Sequence, residues 1–324
     1  MAKHRWLQVS ICGVVLAAVP LLLPGRYYLN VLIFIGIHTL LAVGLNLLMG
    51  YAGQISLGHA AFFGLGAYTS GILSATYQVS PWLAMLAAVA VTVTVALLVG
   101  IPTLKLTGYY LAMATLGFGI IVHICFKEFT WLTGGPSGLV GIPSLRLGGL
   151  VLDDPWSYYY LVWAVVLGAI SLSLNIVDSR VGRALRAIHD SETAAAASGV
   201  ATAQLKIWVF VLSAVYASVA GSLYAHFVTF ISPSSFDFMF SIKLVTMVVI
   251  GGMASIWGAI LGAATLTVLP EVLAVFHDYD IIIFGTILMV VMIFMPQGLT
   301  RGVLDLVGRR RLQQSAATAG RSDG

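Results

Sequence analysis

Long apolar runs cut by short polar punctuation dominate the chain. Stretches without Asp, Glu, Lys or Arg cover 6–25, 27–104, 106–126, 155–177, 207–236, 244–270 and 281–300. A helix needs about 20 mostly apolar residues to cross a bilayer. The runs therefore predict spanning helices at 7–24, 28–49, 55–77, 81–104, 107–126, 156–177 and 207–231. The run 240–276 is too long for one plain span and is interrupted at Gly251-Gly252. It divides into a short element at 240–250, which could be half of a re-entrant hairpin, and another at 254–275. A last span covers 281–295. The expected fold class is all-α, a polytopic membrane protein of about ten transmembrane or re-entrant helices.

Composition and charge sharpen this picture. Only 9% of residues are charged, 60% are hydrophobic and the mean hydropathy is +1.00, whereas soluble domains carry about 25% charged residues. A soluble enzyme is excluded, and so is a disordered chain, which needs low hydrophobicity and high charge. With the N-terminus inside and each element crossing once, 12 of the 16 Lys and Arg fall on the inner side and 4 on the outer (Arg26, Lys127, Arg146 and Lys243). That bias follows the positive-inside rule and puts both termini in the cytoplasm. The net charge of +4 then reflects loops facing anionic membrane lipid, with no nucleic acid implied. Residues 1–307 form the membrane domain, 178–206 a cytoplasmic loop within it, and 308–324 a polar, low-complexity tail expected to be disordered. Met1–Pro24 resembles a signal peptide in its basic start (Lys3, Arg5) but lacks a small-x-small cleavage site, so it reads as an uncleaved first span. The two cysteines, Cys12 and Cys125, lie in apolar runs; neither a disulfide nor a metal site is expected from them.

Three polar segments carry the candidate chemistry. In the first, Gly50 to Ala67, the residues Gln54, Ser56 and His59 interrupt an apolar environment. Irregular backbone at membrane depth is tolerated only where protein or a water-filled cavity covers it. The segment therefore reads as a gate or pathway lining, the alternative being close helix packing through Gly58, Ala60, Gly64 and Ala67. The second, Gly251 to Ala263, contains Gly251, Gly252 and Ser255, and a small-residue packing pair at Gly258 and Gly262. It echoes the first, because Gly53 and Gly252 each precede a serine by three positions. Glycine-interrupted segments repeated in two halves of a transporter point to its translocation core. The third is 178–206. Asp178-Ser179 can cap a helix in which Val181, Leu185 and Ile188 form one stripe, with Arg180, Arg183 and Arg186 lying away from it. A second, Ala-rich helix starts near Glu192 and is cut at Gly199. The pair reads as a helix that docks in a groove on a partner. The alternative, a helix lying on lipid headgroups, is weakened by a stripe of three modest apolar residues.

No Asp, Glu, Lys or Arg lies well inside an expected span, which argues against an ion-coupled carrier. No Walker loop, Gly-x-Ser-x-Gly or His-Glu-x-x-His sequence is present, so no catalytic residue and no cofactor are expected. His38, His59, His123 and His226 read as neutral residues bonded to neighbours within the bundle.

At this point the chain resembles the LivM-type permease subunits of branched-chain amino acid ABC importers. The matching stretches are GLNLLMGYAGQISLGHAAFFGLGAY (44–68), TGGPSGLVGIP (133–143), SRVGRALRAIHDSETAAAASGV (179–200), SLYAHFVTFISPSSFDFMFSI (222–242) and MVVIGGMASIWGAILGA (247–263). The resemblance implies a bacterial inner-membrane permease that works with a LivH-like second permease, two cytoplasmic ATPase subunits and an extracytoplasmic substrate-binding protein. It implies that ATP hydrolysis occurs on a separate chain and that the cargo is a branched-chain or related amino acid; similar permeases carry amides, urea or other small solutes. It also makes Arg180, Val181, Gly182, Arg183, Leu185, Arg186, Ile188, Glu192 and Gly199 the ATPase-coupling set. Related sequences often carry Arg and Glu or Asn where this chain has His189 and Asp190, and Glu near Ala196. These departures bear on the fit to an ATPase.

Overall fold

The structure is a computed structural model that describes residues 2–22, 25–147, 150–273, 285, 286 and 289. The span expected at 281–295 and the tail at 308–324 fall largely or wholly outside these residues. The helices, in chain order, are α1 Ala2–Leu22, α2 Arg26–Asn46, α3 His59–Ala75, α4 Pro81–Thr103, α5 Tyr109–Glu128, a single turn α6 at Thr130–Thr133, α7 Pro155–Asp178, α8 Arg180–Asp190, α9 Glu192–Ala197, α10 Thr202–Val228, α11 Phe238–Gly251 and α12 Ile256–Leu273. Short strand pairs close the connections. Leu139–Val140 (β1) pairs with Phe230–Ile231 (β4), and Arg146–Leu147 (β2) pairs with Leu150–Val151 (β3).

Among the described residues, six helices are long and apolar enough to cross a membrane: Arg26–Tyr51, counting the π-helical turn Leu47–Tyr51 that extends α2, and Pro81–Thr103, Tyr109–Glu128, Pro155–Asp178, Thr202–Val228 and Ile256–Leu273. The chain is thus an all-α polytopic membrane protein. α3 and α11 fall short of this length. With 17 and 14 residues they rise about 25 and 21 Å, against a hydrocarbon core of about 30 Å. α3 is shorter than the expected span 55–77 because residues 53–58 are not helical. The long apolar run is indeed divided, into α11 and α12, at Gly252.

α2 is the axial element. It packs against α7, α10, α11 and α12, and every residue from Thr39 to Tyr51 is buried. A helix surrounded by protein needs no polar face, which is why this sequence shows no amphipathic period. α3 and α10 cross through small residues. A side chain at Gly66 would overlap the Ser218 backbone, and one at Gly221 would overlap the carbonyl of Phe63. Ser222 Oγ donates to Gly66 O at 3.3 Å across the same contact, and Thr92 Oγ1 of α4 donates to Ser218 Oγ at 3.0 Å. α5 contrasts with these, exposing Tyr109, Tyr110, Met113, Ile120, Ile121 and Ile124 along its length.

α11 and α12 form an antiparallel hairpin whose crossing uses the small-residue pair read from the sequence. Gly251 lies on the carbonyl of Gly258, and Gly262 on the carbonyl of Met247. The start of α2 and the end of α12 share one face, where Tyr27 OH donates to Glu271 Oε2 at 2.5 Å. The end of α2 and the turn between α11 and α12 share the other.

Candidate functional site

The first break begins where α2 loosens into its π-helical turn. Gly53 has φ +67°, a left-handed conformation that glycine adopts without steric cost. The backbone N–H of Gln54 donates to Leu48 O at 3.0 Å and closes the turn. The chain then stays outside helix as far as Gly58. The start of α3 is held from outside: Leu57 N donates to Thr115 Oγ1 at 3.0 Å, and Ala60 N to Ser241 Oγ at 3.1 Å.

All three polar residues singled out here are buried, with Gln54 8%, Ser56 1% and His59 1% exposed. Gln54 Nε2 donates to Ala52 O at 3.0 Å. Gln54 Oε1, Ser56 Oγ and His59 Nε2 have no hydrogen-bond partner among the described residues. Buried polar atoms are satisfied in most cases, and an exception marks a water, an ion or a functional role. Among the described residues, three such atoms fall within the six residues 54–59. The packing reading of Gly58 and Gly64 holds as well, since they lie against Thr115 and against Phe126 and Phe236. The same segment therefore packs through one set of residues and keeps unpartnered polar atoms on another.

The second break is a turn. Gly252 has φ +112° and Ala254 φ +58°. Ser255 Oγ accepts from Gly258 N at 3.0 Å and caps the start of α12. Gln54, Ser56 and His59 make no side-chain hydrogen bond to this turn. The residue that reaches it is Asn46, fully buried at the end of α2. Its Nδ2 donates to Ser255 O at 2.7 Å and its Oδ1 accepts from Ala254 N at 2.9 Å. Sequence reading passed over Asn46 because it sits inside a charge-free run. The available signal was a lone carboxamide four residues before Gly50, beside which a side chain would collide with Asn46 and Ala254.

The third segment forms α8 and α9. Ser179 caps α8, its Oγ accepting from Val181 N at 3.1 Å, and Ser191 caps α9, its Oγ accepting from Ala194 N at 3.3 Å. α8 folds back on the end of α7 because Gly182 leaves no side chain against the Val177 backbone. Arg186 Nη2 donates to Val177 O at 2.6 Å, covering a free carbonyl at the α7 C-terminus, and its guanidinium carbon stands 5.8 Å over the Tyr51 ring.

The expected docking stripe is corrected here. Leu185 and Ile188 are buried in the chain's own body, while Val181 is exposed. A stripe of apolar residues on a short helix finds its first partner in the neighbouring spans, so its burial needs no second protein. What α8 presents outward is Arg180, Val181, Arg183, Arg186, His189 and Asp190. Glu192 bonds Lys206 of α10 at 2.6 Å; the lysine side chain is 3% exposed and the glutamate 33%. Gly199 (φ +82°) follows the end of α9. Beside α8 lies an apolar groove of about 500 Å³ lined by Leu172, Ile176, Val181, Leu185, Trp208 and Leu212, among others.

Of the isolated histidines, His38 Nδ1 lies 2.7 Å from Thr267 Oγ1, and His226 bridges Ser70 (2.8 Å) and the Pro143 carbonyl (2.7 Å). A carbonyl only accepts, so His226 Nδ1 carries the proton, and in the neutral ring Nε2 accepts from Ser70. His123 Nδ1, like His59 Nε2, has no partner among the described residues.

A family profile described as branched-chain amino acid transport system / permease component matches residues 27–296. The chain belongs to this family. Among its relatives are the high-affinity branched-chain amino acid transport system permease proteins LivM of Salmonella typhimurium and of Escherichia coli K12, each 34% identical over 261 residues, which is 74% of this chain and 61% of the relative. The LivH permease protein of Salmonella typhimurium is 30% identical over 188 residues, 55% of this chain and 60% of the relative. The chain thus matches about three fifths of the length of these permeases. No solved structure matches it. The family match takes in both glycine breaks and the α8–α9 segment.

Proposed function

We propose that the chain is a membrane subunit of an ATP-driven importer for branched-chain or related amino acids, in the cytoplasmic membrane of a bacterium. The observation that carries this reading is the LivM match over 74% of the chain. The cargo class rests on the names of the relatives; amides, urea and sugars are the alternatives. In this reading a LivH-like permease completes the membrane part, two ATPase subunits dock on the cytoplasmic face, and an extracytoplasmic binding protein delivers cargo near 127–155 and 232–243. Both termini lie in the cytoplasm, and about ten elements cross or enter the bilayer.

The coupling surface is α8 and α9, revised from an apolar stripe to a basic one. Arg180 and Arg183 meet the ATPase, with Arg186, Leu185 and Ile188 holding α8 to the body. Movement of α8 reaches the membrane by two routes. One is the Glu192–Lys206 pair, which joins α9 to α10 and so to its crossing with α3. The other is Arg186 and His189, which border Tyr51 and Gly53. Gln54, Ser56 and His59, with Gly251, Gly252 and Ser255, form the gate that these routes move, and ATP binding shifts the population between its two states.

The test is reconstitution with the ATPases, the second permease and the binding protein in vesicles. Uptake of leucine, isoleucine or valine should require ATP and persist when the membrane potential is collapsed. Uptake that follows the potential and ignores ATP would assign the chain to an ion-coupled carrier or channel instead.

A further inference from the structure

The two glycine breaks meet at the end of α2, where one side chain makes two hydrogen bonds across the joint. Asn46 uses both ends of its carboxamide on the backbone of the α11–α12 turn, donating to Ser255 O at 2.7 Å and accepting from Ala254 N at 2.9 Å. Ala254 is held at φ +58°, where a residue with a Cβ pays a steric penalty that persists only when its surroundings over-determine it. The Asn46 clasp on the N–H of that very residue supplies such a constraint. Gly50, one turn further on, leaves the space that lets the turn approach. Tyr51 adds a second grip, since its side chain meets the backbone of Ile256 at the start of α12.

The same π-helical turn also packs against α8. The Arg186 guanidinium covers the Tyr51 ring, and Gly53 lies against the His189 ring. Tyr51 of this turn thus touches both α8 and the start of α12, and Gly50 lies against the α11–α12 turn. A π-helical turn is a common mark of a functional position within a helix. Here the turn packs against α8 and lies against the hairpin.

We infer that Asn46 is a positioning residue for the transport cycle: it makes the α11–α12 hairpin follow the π-helical turn when α8 moves. It touches no cargo and acts through the backbone of Ala254 and Ser255. The inference rests on the importer reading above and deepens it by naming the joint between coupling helix and gate.

The experiment uses the complete importer in vesicles and compares the parent with Asn46→Leu, which keeps the bulk and removes both hydrogen bonds. Three quantities are read together: assembly with the partner subunits, ATP hydrolysis stimulated by the loaded binding protein, and cargo moved per ATP. The expected result is assembly and stimulated hydrolysis close to the parent, with cargo per ATP lowered about tenfold. Unchanged cargo per ATP overturns the inference. So does a parallel loss of assembly, hydrolysis and uptake, which marks a structural contact only. Where the leucine variant fails to insert, Asn46→Ala takes its place. It removes both hydrogen bonds without placing an apolar branch in the joint. It should lower cargo per ATP to a similar extent, and parent-like coupling in it overturns the inference equally. Failure of the importer reading looks different, because then the parent itself shows no ATP-dependent uptake.

Discussion

The α3–α10 crossing and the 52–58 break are built from the same residue types and behave in opposite ways. Both are rich in Gly, Ser and Ala. At the crossing, Gly66 and Gly221 bring two backbones together and Ser222 bonds across the contact. Thr92 of α4 donates to Ser218 beside the same contact. At the break, Gly53 turns the chain out of its helix, and Gln54, Ser56 and His59 keep buried atoms without partners among the described residues. Small polar residues in a membrane helix thus have two uses. Satisfied, they fasten helices; at the break they keep polar atoms that pair with nothing among the described residues.

That contrast can be broken from the crossing first. Gly221→Leu forces a side chain into the Phe63 carbonyl and should cost about 3 kcal/mol or more through overpacking. Loss of a cooperative melting transition in lipid nanodiscs is the expected readout, and a parent-like melt would show that the crossing is loose. Next is Glu192→Gln, which strands the Lys206 ammonium in a buried position. Removing one partner of a buried pair costs several kcal/mol, but the third of Glu192 that is exposed reduces this to about 1–3 kcal/mol. A double replacement with Lys206→Met should recover part of the loss in the same melt. Gly53→Ala and Gly252→Ala place a Cβ at positive φ and should each cost about 1–2 kcal/mol, with uptake falling further than the melting temperature. The smallest expected change is the most diagnostic. Ser56→Ala removes an atom that has no partner and should shift stability by less than about 0.5 kcal/mol, whereas Ser222→Ala should cost about 1 kcal/mol. If Ser56→Ala lowers uptake without moving the melt, the open set and the fastened set are functionally distinct; a shift equal to that of Ser222→Ala would erase the distinction.

The spans were legible in the sequence wherever length decided the matter. Runs such as 81–104 and 156–177 became helices within a residue or two, because a long charge-free run has one stable form in lipid. The split at Gly252 was legible from the glycine pair. Inter-helix partners were not. Val181, Leu185 and Ile188 share a helical face by spacing, but spacing does not say whether neighbouring spans or a second protein covers that face. Asn46 was hidden for a related reason: its partners are backbone atoms more than 200 residues away, and no local pattern encodes them. Gln54, Ser56 and His59 were found because polarity stands out against an apolar run, a signal that needs no knowledge of partners.

The Glu192–Lys206 pair also has a consequence for biosynthesis. Its members are 14 residues apart, and the glutamate is made first. When the segment carrying Lys206 reaches the bilayer, the counter-ion is already in place just upstream, and closing so short a loop carries a small entropic cost. The charge can therefore enter its helix as part of a neutral local unit, without waiting for distant spans to arrive. A nascent chain halted soon after α10 should already protect Lys206 from amine-reactive labels, and changing Glu192 should expose it at that stage.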